Sequence, residues 1–592
     1  MYLKKSFNKK TGRTHLSFVQ GYRKDGIVKH NTVENLGYLD DWVNIYDDPI
    51  AHFKAVAKER TESGEIQKKI EIDLTQKLPE NCNLRKNVGY AIPKAVYSQL
   101  KLHDFFQHKQ RSLNIEYNLN SVFSLLLFNR FLFPSSKKHA HETKDVFFDR
   151  FDFSLDDTYA ALDYFNMYSQ EIQHYLYERV NDIVERNPQY GYYDVTNYYF
   201  EIPYEDEDVY DANGDLKKKG SRKRGPSKEH RKDPIIQMGL LMDSNGIPMA
   251  FHTFPGNESE KQSLLPTVKR AKRDYGLEKI IVVADRGLNT SDNIAFLAGE
   301  NNDISKNNDG YVYGQSVLGA SEEFKAWVLE QNDYITSKEK DKDGKEVKFI
   351  HKSRLYAKNI TLKDSNGNRR LTMDTYQKQM VYYSEKYAKK QKKDRERTIA
   401  KAKKLIKNPT NYTKATAYGA AAYIKNIKFS KETGEILAEQ KLLLDEEKIR
   451  EEEKYDGFYS IVTSETDKSD KEIRDIYKGL WEIEESFKII KSEFDGRPVY
   501  VRKDEHIHAH FLICFVALVV MRVLEQMTDK KYTVKEIRDA LKSYSCSYLE
   551  QNYYMFDYRD EVLRCMEERF GLDLSKKYMT VSQIKKILEY QK

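Results

Sequence analysis

Cysteine is scarce: Cys82, Cys514, Cys546 and Cys565 are the only four in 592 residues, and none are spaced as in a CxxC zinc site. That excludes a disulfide framework and a cysteine-rich metal fold. Long apolar runs are missing as well. The longest, FLICFVALVV at 511–520, is followed closely by Arg522. It falls short of the roughly 18–20 residues a membrane span needs, so it predicts a buried helix and no membrane partner. The opening MYLKKSFNKK is basic with no apolar stretch behind it, unlike a secretory signal. No GxxxxGK[ST] loop occurs, which argues against a nucleotide-driven enzyme. Charge of one sign is in small surplus: 99 Lys and Arg against 92 Asp and Glu leave +7. Any polyanion partner must therefore be sought in where the charge sits. These absences lead to the expectation of a soluble, reduced, intracellular protein.

What is present describes a globular chain. Hydrophobic residues make up 40%, aromatics 12% and charged residues 32%, which rules out general disorder and low complexity. The length predicts about four domains. Residues 1–84 open with a β-rich segment around turns such as Lys24-Asp25-Gly26 and continue into a linker; 85–186 change to helical period, as in SVFSLLLFNRFLF (121–133).

Between 187 and 304 the pattern alternates. A strand, GYYDVTNYYFE (191–201), precedes a charged loop. Strands IIQMGLLMD (235–243) and IPMAFHTFPG (247–256) follow, joined by the hairpin turn Ser244-Asn245-Gly246. A helix near 258–275, the strand KIIVVADRG (279–287) and a helix near 290–300 complete an order that predicts a mixed sheet covered by helices. Residues 305–465 read as a separate β-rich insertion carrying a very basic helix over about 385–407. Within 466–530, the segment 469–494 predicts one helix, with a capping box from Ser469 and Glu472 and an apolar stripe of Ile476, Leu480, Ile483, Phe487 and Ile490. A buried helix over 507–526 follows, and 531–592 form a helical tail.

Three acids stand out by their positions. Asp194 lies within an apolar and aromatic strand, where it has no cap to make, and Asp285 closes the run Ile280-Ile281-Val282-Val283-Ala284. A carboxylate there is costly unless hydrogen-bonded or bound to metal, although a strand-end Asp also serves as the cap of a following turn. On the 469–494 helix, Tyr477, Glu484 and Lys491 recur every seven residues and share one face over roughly 20 Å, with Trp481 and Lys488 on the same side. Glu482 falls on the opposite, solvated side, whereas Glu485 is one helical step away and remains a rival to Glu484. An ordinary amphipathic helix with pairs such as Glu484 and Lys488 accounts for the same pattern. Two strand aspartates and a helix glutamate make a hard oxygen-ligand set suited to a pair of Mg²⁺ ions and in-line phosphoryl transfer. Neighbouring lysines and a tyrosine would then contact a DNA backbone.

At these residues the chain resembles the ribonuclease H-like DDE transposases of bacterial insertion sequences, in the insertion-sequence-four superfamily with its Y-x2-R-x3-E-x6-K signature. YYDVTNYYFE, VVADRG and the Tyr477, Glu484, Lys491 series carry the resemblance, and GPSKEHRKDPIIQMGLLMDSNGIPMAFHTFPGN (225–257) and HIHAHFLICFVAL (506–518) extend it. The resemblance implies a ribonuclease H-like mixed sheet interrupted by a β-rich insertion, behind an N-terminal β-hairpin and helical DNA-binding region. It implies Asp194, Asp285 and Glu484 as catalytic ligands of two Mg²⁺ ions, with Mn²⁺ as a possible substitute, and Tyr477 and Lys491 as DNA contacts, to which Lys488 is added from its place on the same helix face. It implies double-stranded DNA as partner, both terminal inverted repeats and target, a homodimer on paired ends, and a cytoplasmic, nucleoid-associated bacterial protein. The implied reaction is cleavage at the element's ends followed by strand transfer. A metal-dependent nuclease without joining, and an inactive DNA-binding derivative, are the alternatives. One position departs: Leu480 stands where the signature has arginine, leaving Arg474, Lys478 or Lys488 to replace its phosphate contact.

Further features divide between roles. KKKGSRKRGPSKEHRK (217–232) holds nine Lys or Arg, among them Arg222, Lys223, Arg224 and Lys228, after the acidic stretch 205–215. It reads equally as a solvated loop or as a DNA-backbone contact. The basic helix at 385–407 lines a DNA path or is simply exposed. His506, His508 and His510 alternate by two, which spreads them around a helix and disfavours a zinc site.

Overall fold

The computed structural model describes residues 1–9, 11–24, 27–62, 75–80, 82–227, 231–298, 309–340, 344, 346–363, 369–407, 419–429 and 436–590. They form two compact units. The smaller comprises Met1–Leu84, Ser547–Met555 and Tyr578–Val581. Its antiparallel strands Tyr2–Asn8, Arg13–Lys24 and Ile27–Tyr38 bury Leu16 and Phe18 against Phe53 and Ala57 of the helix Pro49–Glu62. Asp25 and Gly26 of the expected turn lie outside the described residues.

The larger unit, Arg85–Cys546 with Phe556–Lys577 and Ser582–Lys592, is built on one nine-stranded mixed sheet. Its strands are β1 Tyr190–Tyr199, β2 Ile235–Met242, β3 Pro248–Pro255, β4 Ile281–Ala284, β5 Gly310–Gln315, β6 Ile335–Lys340, β7 Glu346–Lys363, β8 Arg369–Tyr383 and β9 Phe458–Thr463. Across the sheet they run β6-β7-β8-β9-β5-β4-β1-β2-β3. β4 is parallel to both β1 and β5, and every other pairing is antiparallel. β2 and β4 are buried along their whole length, as uninterrupted apolar runs of central strands must be.

The expectation of a separate β-rich insertion is corrected here. β9 returns between β5 and β8, with Thr463 opposite Val312 and Ser460 opposite Val381. The strands of 305–465 thereby prolong the sheet, because pairing on an existing edge satisfies backbone groups that a detached sheet would leave open. Among the described residues of this stretch, two small cores stand apart from the main one: the basic helix and the hairpin Ile424–Phe429/Ile436–Leu444 gather Ala402, Ala420, Ile424 and Leu442, and the helix Glu322–Leu329 buries Phe324 and Val328 with Val317, Val381 and Tyr455.

Helices α1 Leu264–Tyr275 and α2 Ser291–Ala298 bury Leu264, Val268, Ile294 and Phe296 in the same cluster as Val195, Val282 and Tyr313 of the sheet. The basic helix, α3, spans Glu385–Lys407. The expected helix at 469–494 is broken: α4 Asp470–Lys478 ends at Gly479, α5 Leu480–Lys488 follows, and Ile489–Glu493 close with a π turn. The Ser469–Glu472 capping box forms as expected. Ile483, Phe487 and Ile490 are buried, while Ile476 and Leu480 are half-exposed. α6 Asp504–Met527 is long and apolar enough to cross a membrane, yet nearly all of it is buried in the protein. The helix Leu119–Leu132, buried on almost every side, packs against it.

Candidate active site

Side chains on β1 alternate between two faces, and the face presenting Tyr192, Asp194 and Thr196 lies under the α4–α5 segment. The Tyr192 hydroxyl donates to the Ile476 carbonyl at 3.0 Å, and its ring fills the space beside Gly479. Four residues along the strand, the Thr196 hydroxyl accepts a 2.6 Å hydrogen bond from Lys491 Nζ. Between these two ties, Asp194, Asp285 and Glu484 line one open cavity of about 400 Å³. Thr196, Lys488, Lys491 and Arg497 contribute its polar wall, and Leu480, Ile483 and Phe487 its apolar one.

Each acid reaches the cavity for a local reason. Asp194 is half-buried in mid-strand, paired with Leu240 of β2. Asp285 sits at the exposed end of the buried strand β4. It caps the short 3₁₀ turn Arg286–Leu288, accepting from the Gly287 N–H at 2.8 Å, and also faces the cavity. A carboxylate has acceptor positions enough for both. Glu484 is exposed on α5. Its rival Glu485 is turned to Arg522 of α6 at 3.3 Å, a buried guanidinium that also binds Glu525, the Ser486 hydroxyl and the Glu482 carbonyl. Glu482 is not solvated as expected: its side chain is only 18% exposed and pairs with Lys530 at 2.9 Å.

Among the described residues, no three His, Cys, Asp or Glu side chains converge closely enough to form a ligand cluster. The three carboxylates therefore stand around the cavity without meeting at one point.

Other expected contacts fall elsewhere. Tyr477 is not on the cavity wall; its hydroxyl occupies the space beside Gly314, and burial, then the charge of Asp285, hold that hydroxyl above the usual tyrosine range. Arg222 and Lys223 do not present themselves to a backbone. Arg222 is 8% exposed and held by the Asp206 carboxylate, and Lys223 pairs with Asp208 at 2.9 Å. Arg224 binds the Pro203 and Lys232 carbonyls. Two acids of the acidic stretch thus hold Arg222 and Lys223, while Lys218 and Lys219 pair with Asp504 and Glu258. Lys228 lies outside the described residues. Arg474, one candidate for the missing signature arginine, is buried on Glu339 and Asp475 at 2.8 Å, and Lys478 pairs with Asp475. Arg497, which no motif singled out, lines the cavity. Its only signal in sequence is proximity to the helix end. The three histidines take separate partners: Asp163 for His506, the Thr253 hydroxyl for His508, and Lys137 with the Gly496 carbonyl for His510.

Comparison with known proteins places the chain. Residues 3–69 match the IS1634 family transposase N-terminal domain, and residues 211–520, more than half of the chain, match the transposase DDE domain. The second match includes Asp285 and Glu484 and begins after Asp194. The chain belongs to the DDE transposases of insertion sequences, enzymes of DNA transposition. No curated protein matches it. Among solved structures, it is similar to a "Mos1 transposase paired-end complex with left transposon end" at 12% identity and a TM-score of 0.12, over 44% of this chain and 69% of that one.

Proposed function

We propose that this transposase cleaves the ends of its element and joins them to target DNA at the cavity formed by Asp194, Asp285 and Glu484. The observation that carries this reading is that three acids, remote in sequence, line one open cavity together with Lys488, Lys491 and Arg497. The strand order β3-β2-β1-β4-β5, antiparallel through the first three and parallel through the last three, supports a ribonuclease H-like core. The carboxylates around this polar cavity are hard oxygen donors of the kind Mg²⁺ or Mn²⁺ takes; as the three do not meet at one point, each ion would be held by some of them, with water and phosphate in its open positions. A pair of such ions, bound by those acids, would supply Lewis-acid stabilisation for an in-line displacement at phosphorus.

The chain's own groups do the positioning. Lys491, held on Thr196, places its ammonium charge on the cavity wall, where it attracts a phosphate oxygen. Lys488 and Arg497 face the same space and offset the phosphodiester charge. Leu480, Ile483 and Phe487 exclude bulk water from one side, which strengthens these charge interactions. We assign recognition of the terminal repeats to the N-terminal part of the chain, on the match of residues 3–69.

The test incubates purified protein with labelled terminal repeats, target plasmid and Mg²⁺. Joined products are expected, and each of Asp194→Asn, Asp285→Asn and Glu484→Gln should abolish them while leaving DNA retention intact. Cuts without joining would support a nuclease instead, and retention without any cut an inactive binder.

A further inference from the structure

Helix α3 carries eleven Lys or Arg and three acids, a surplus of eight, whereas the whole chain carries +7. That one helix carries as large a surplus as the whole chain, a density matched by the run 217–232, whose Arg222 and Lys223 are held by carboxylates. Its rotation is fixed. Arg395 is buried on Asp456 at 2.6 Å, the Gln391 side chain accepts from the Gly457 N–H, and Ala402 packs with Ala420, Ile424 and Leu442. Opposite that anchored side, Lys386, Lys390, Lys393, Arg397, Lys401 and Lys404 are all exposed, at spacings of three and four that align them in one stripe. The acids Glu385 and Asp394 pair locally, with Lys389 and Arg397. Eighteen residues of helix extend roughly 27 Å, about the rise of eight base pairs.

The stripe starts at the end of the sheet where Asp285 lies: Ala284 pairs with Tyr313 of β5, Gln315 of β5 with Ser460 of β9, and Phe458 of β9 with Tyr383, two residues before α3. Tyr387, in the first turn of α3, stacks on Tyr459 of β9 with ring centroids 3.8 Å apart, and Tyr459 stacks in turn on Tyr382. A row of cations leading away from a phosphoryl-transfer cavity complements the backbone of a duplex entering it.

We propose that the outward stripe of α3 is a rail for the phosphate backbone of the double-stranded DNA engaged in the cavity, seating the duplex without reading its sequence. The proposal rests on the cavity being the reaction site. Removing a single cation–phosphate pairing should lower the slope of log affinity against log salt by about 0.9. The test measures affinity of the full chain for a random-sequence duplex over a series of salt concentrations. Lys390→Gln/Lys393→Gln/Arg397→Gln should reduce the slope by about 2.7 and, independently, Lys401→Gln/Lys404→Gln by about 1.8, each weakening binding tenfold or more near 0.1 M salt. These exposed changes should leave the melting temperature in place, and Lys→Arg versions should keep the parent slope. Slopes equal to the parent in both glutamine variants overturn the rail. Asp194→Asn serves as the separate arm: retained cleavage there refutes the cavity assignment, whereas an unchanged salt slope with lost cleavage leaves that assignment standing while the rail is judged by its own variants.

Discussion

Gly479 lies against Tyr192 so closely that a β-carbon built on the glycine would come within 2.5 Å of the tyrosine hydroxyl oxygen and 2.6 Å of the ring. The two residues fix how near α5 approaches β1, and thus how near Glu484 stands to Asp194. Gly479→Ala must push the helix away from the strand. Because displacements on the order of 1 Å cost about 100-fold in rate, cleavage should fall by about that factor while DNA affinity stays within about twofold. Tyr192→Leu introduced into the Gly479→Ala chain should recover part of the loss, as the smaller side chain restores the approach. An alanine variant with full cleavage would refute this spacing role.

Glu484 and Glu485 are adjacent in sequence and opposite in consequence. Glu484→Gln removes an exposed carboxylate from the cavity wall, so cleavage should drop by at least about 1,000-fold with no change in melting temperature. Glu485→Gln removes one partner of Arg522, which keeps Glu525 and Ser486, so stability should fall by no more than about 1 kcal/mol and cleavage should persist. Melting curves and single-turnover cleavage of the two variants, run side by side, decide it. The reverse pattern would transfer the catalytic role to Glu485.

Arg497 and Leu480 line the same cavity, the first charged and the second apolar. A guanidinium binds phosphate through two parallel donors, which an ammonium cannot reproduce. Arg497→Ala should therefore raise the DNA concentration needed for half-maximal cleavage about tenfold or more, with Arg497→Lys intermediate. Adding Leu480→Arg to the Arg497→Ala chain should restore part of the affinity, since it returns a guanidinium to the same space. If Arg497→Ala leaves the concentration dependence untouched, Lys488 and Lys491 carry the phosphate alone.

Much of this architecture was legible because local pattern and tertiary role agree. The run of apolar residues before Asp285 could only be an interior strand, and Asn245-Gly246 between two apolar segments could only turn a hairpin. Ser469 with Glu472 announced a helix start through capping chemistry alone. What escaped the sequence depends on partners far along the chain. Gly479 and the π turn at Ile489–Glu493 break a heptad-spaced series that reads as one helix, because Tyr192 and Thr196 from the strand beneath pull on it at both ends. The basic run around Arg222 and Lys223 resembles a DNA contact until Asp206 and Asp208 are seen to neutralise it. The strands of 305–465 gave no sign that they would extend the main sheet, since edge pairing leaves no mark on composition.

His252, on β3, accepts a 3.0 Å hydrogen bond from Arg270, which requires its Nδ1 to be unprotonated. Burial, then the charge of Arg270, push the imidazole down to about 4. In the unfolded chain it titrates near 6.5, so between these values the unfolded state binds the extra proton. The stabilisation from keeping this ring neutral is complete above pH 6.5 and is lost as pH falls toward about 4, up to roughly 3 kcal/mol. Melting temperatures measured from pH 7.5 to pH 4.5 should therefore decline in the parent chain. His252→Gln can still accept from Arg270 through its amide oxygen and has no proton to gain, so its decline should be shallower across that window. Parallel curves for parent and variant would place the acid sensitivity at other groups.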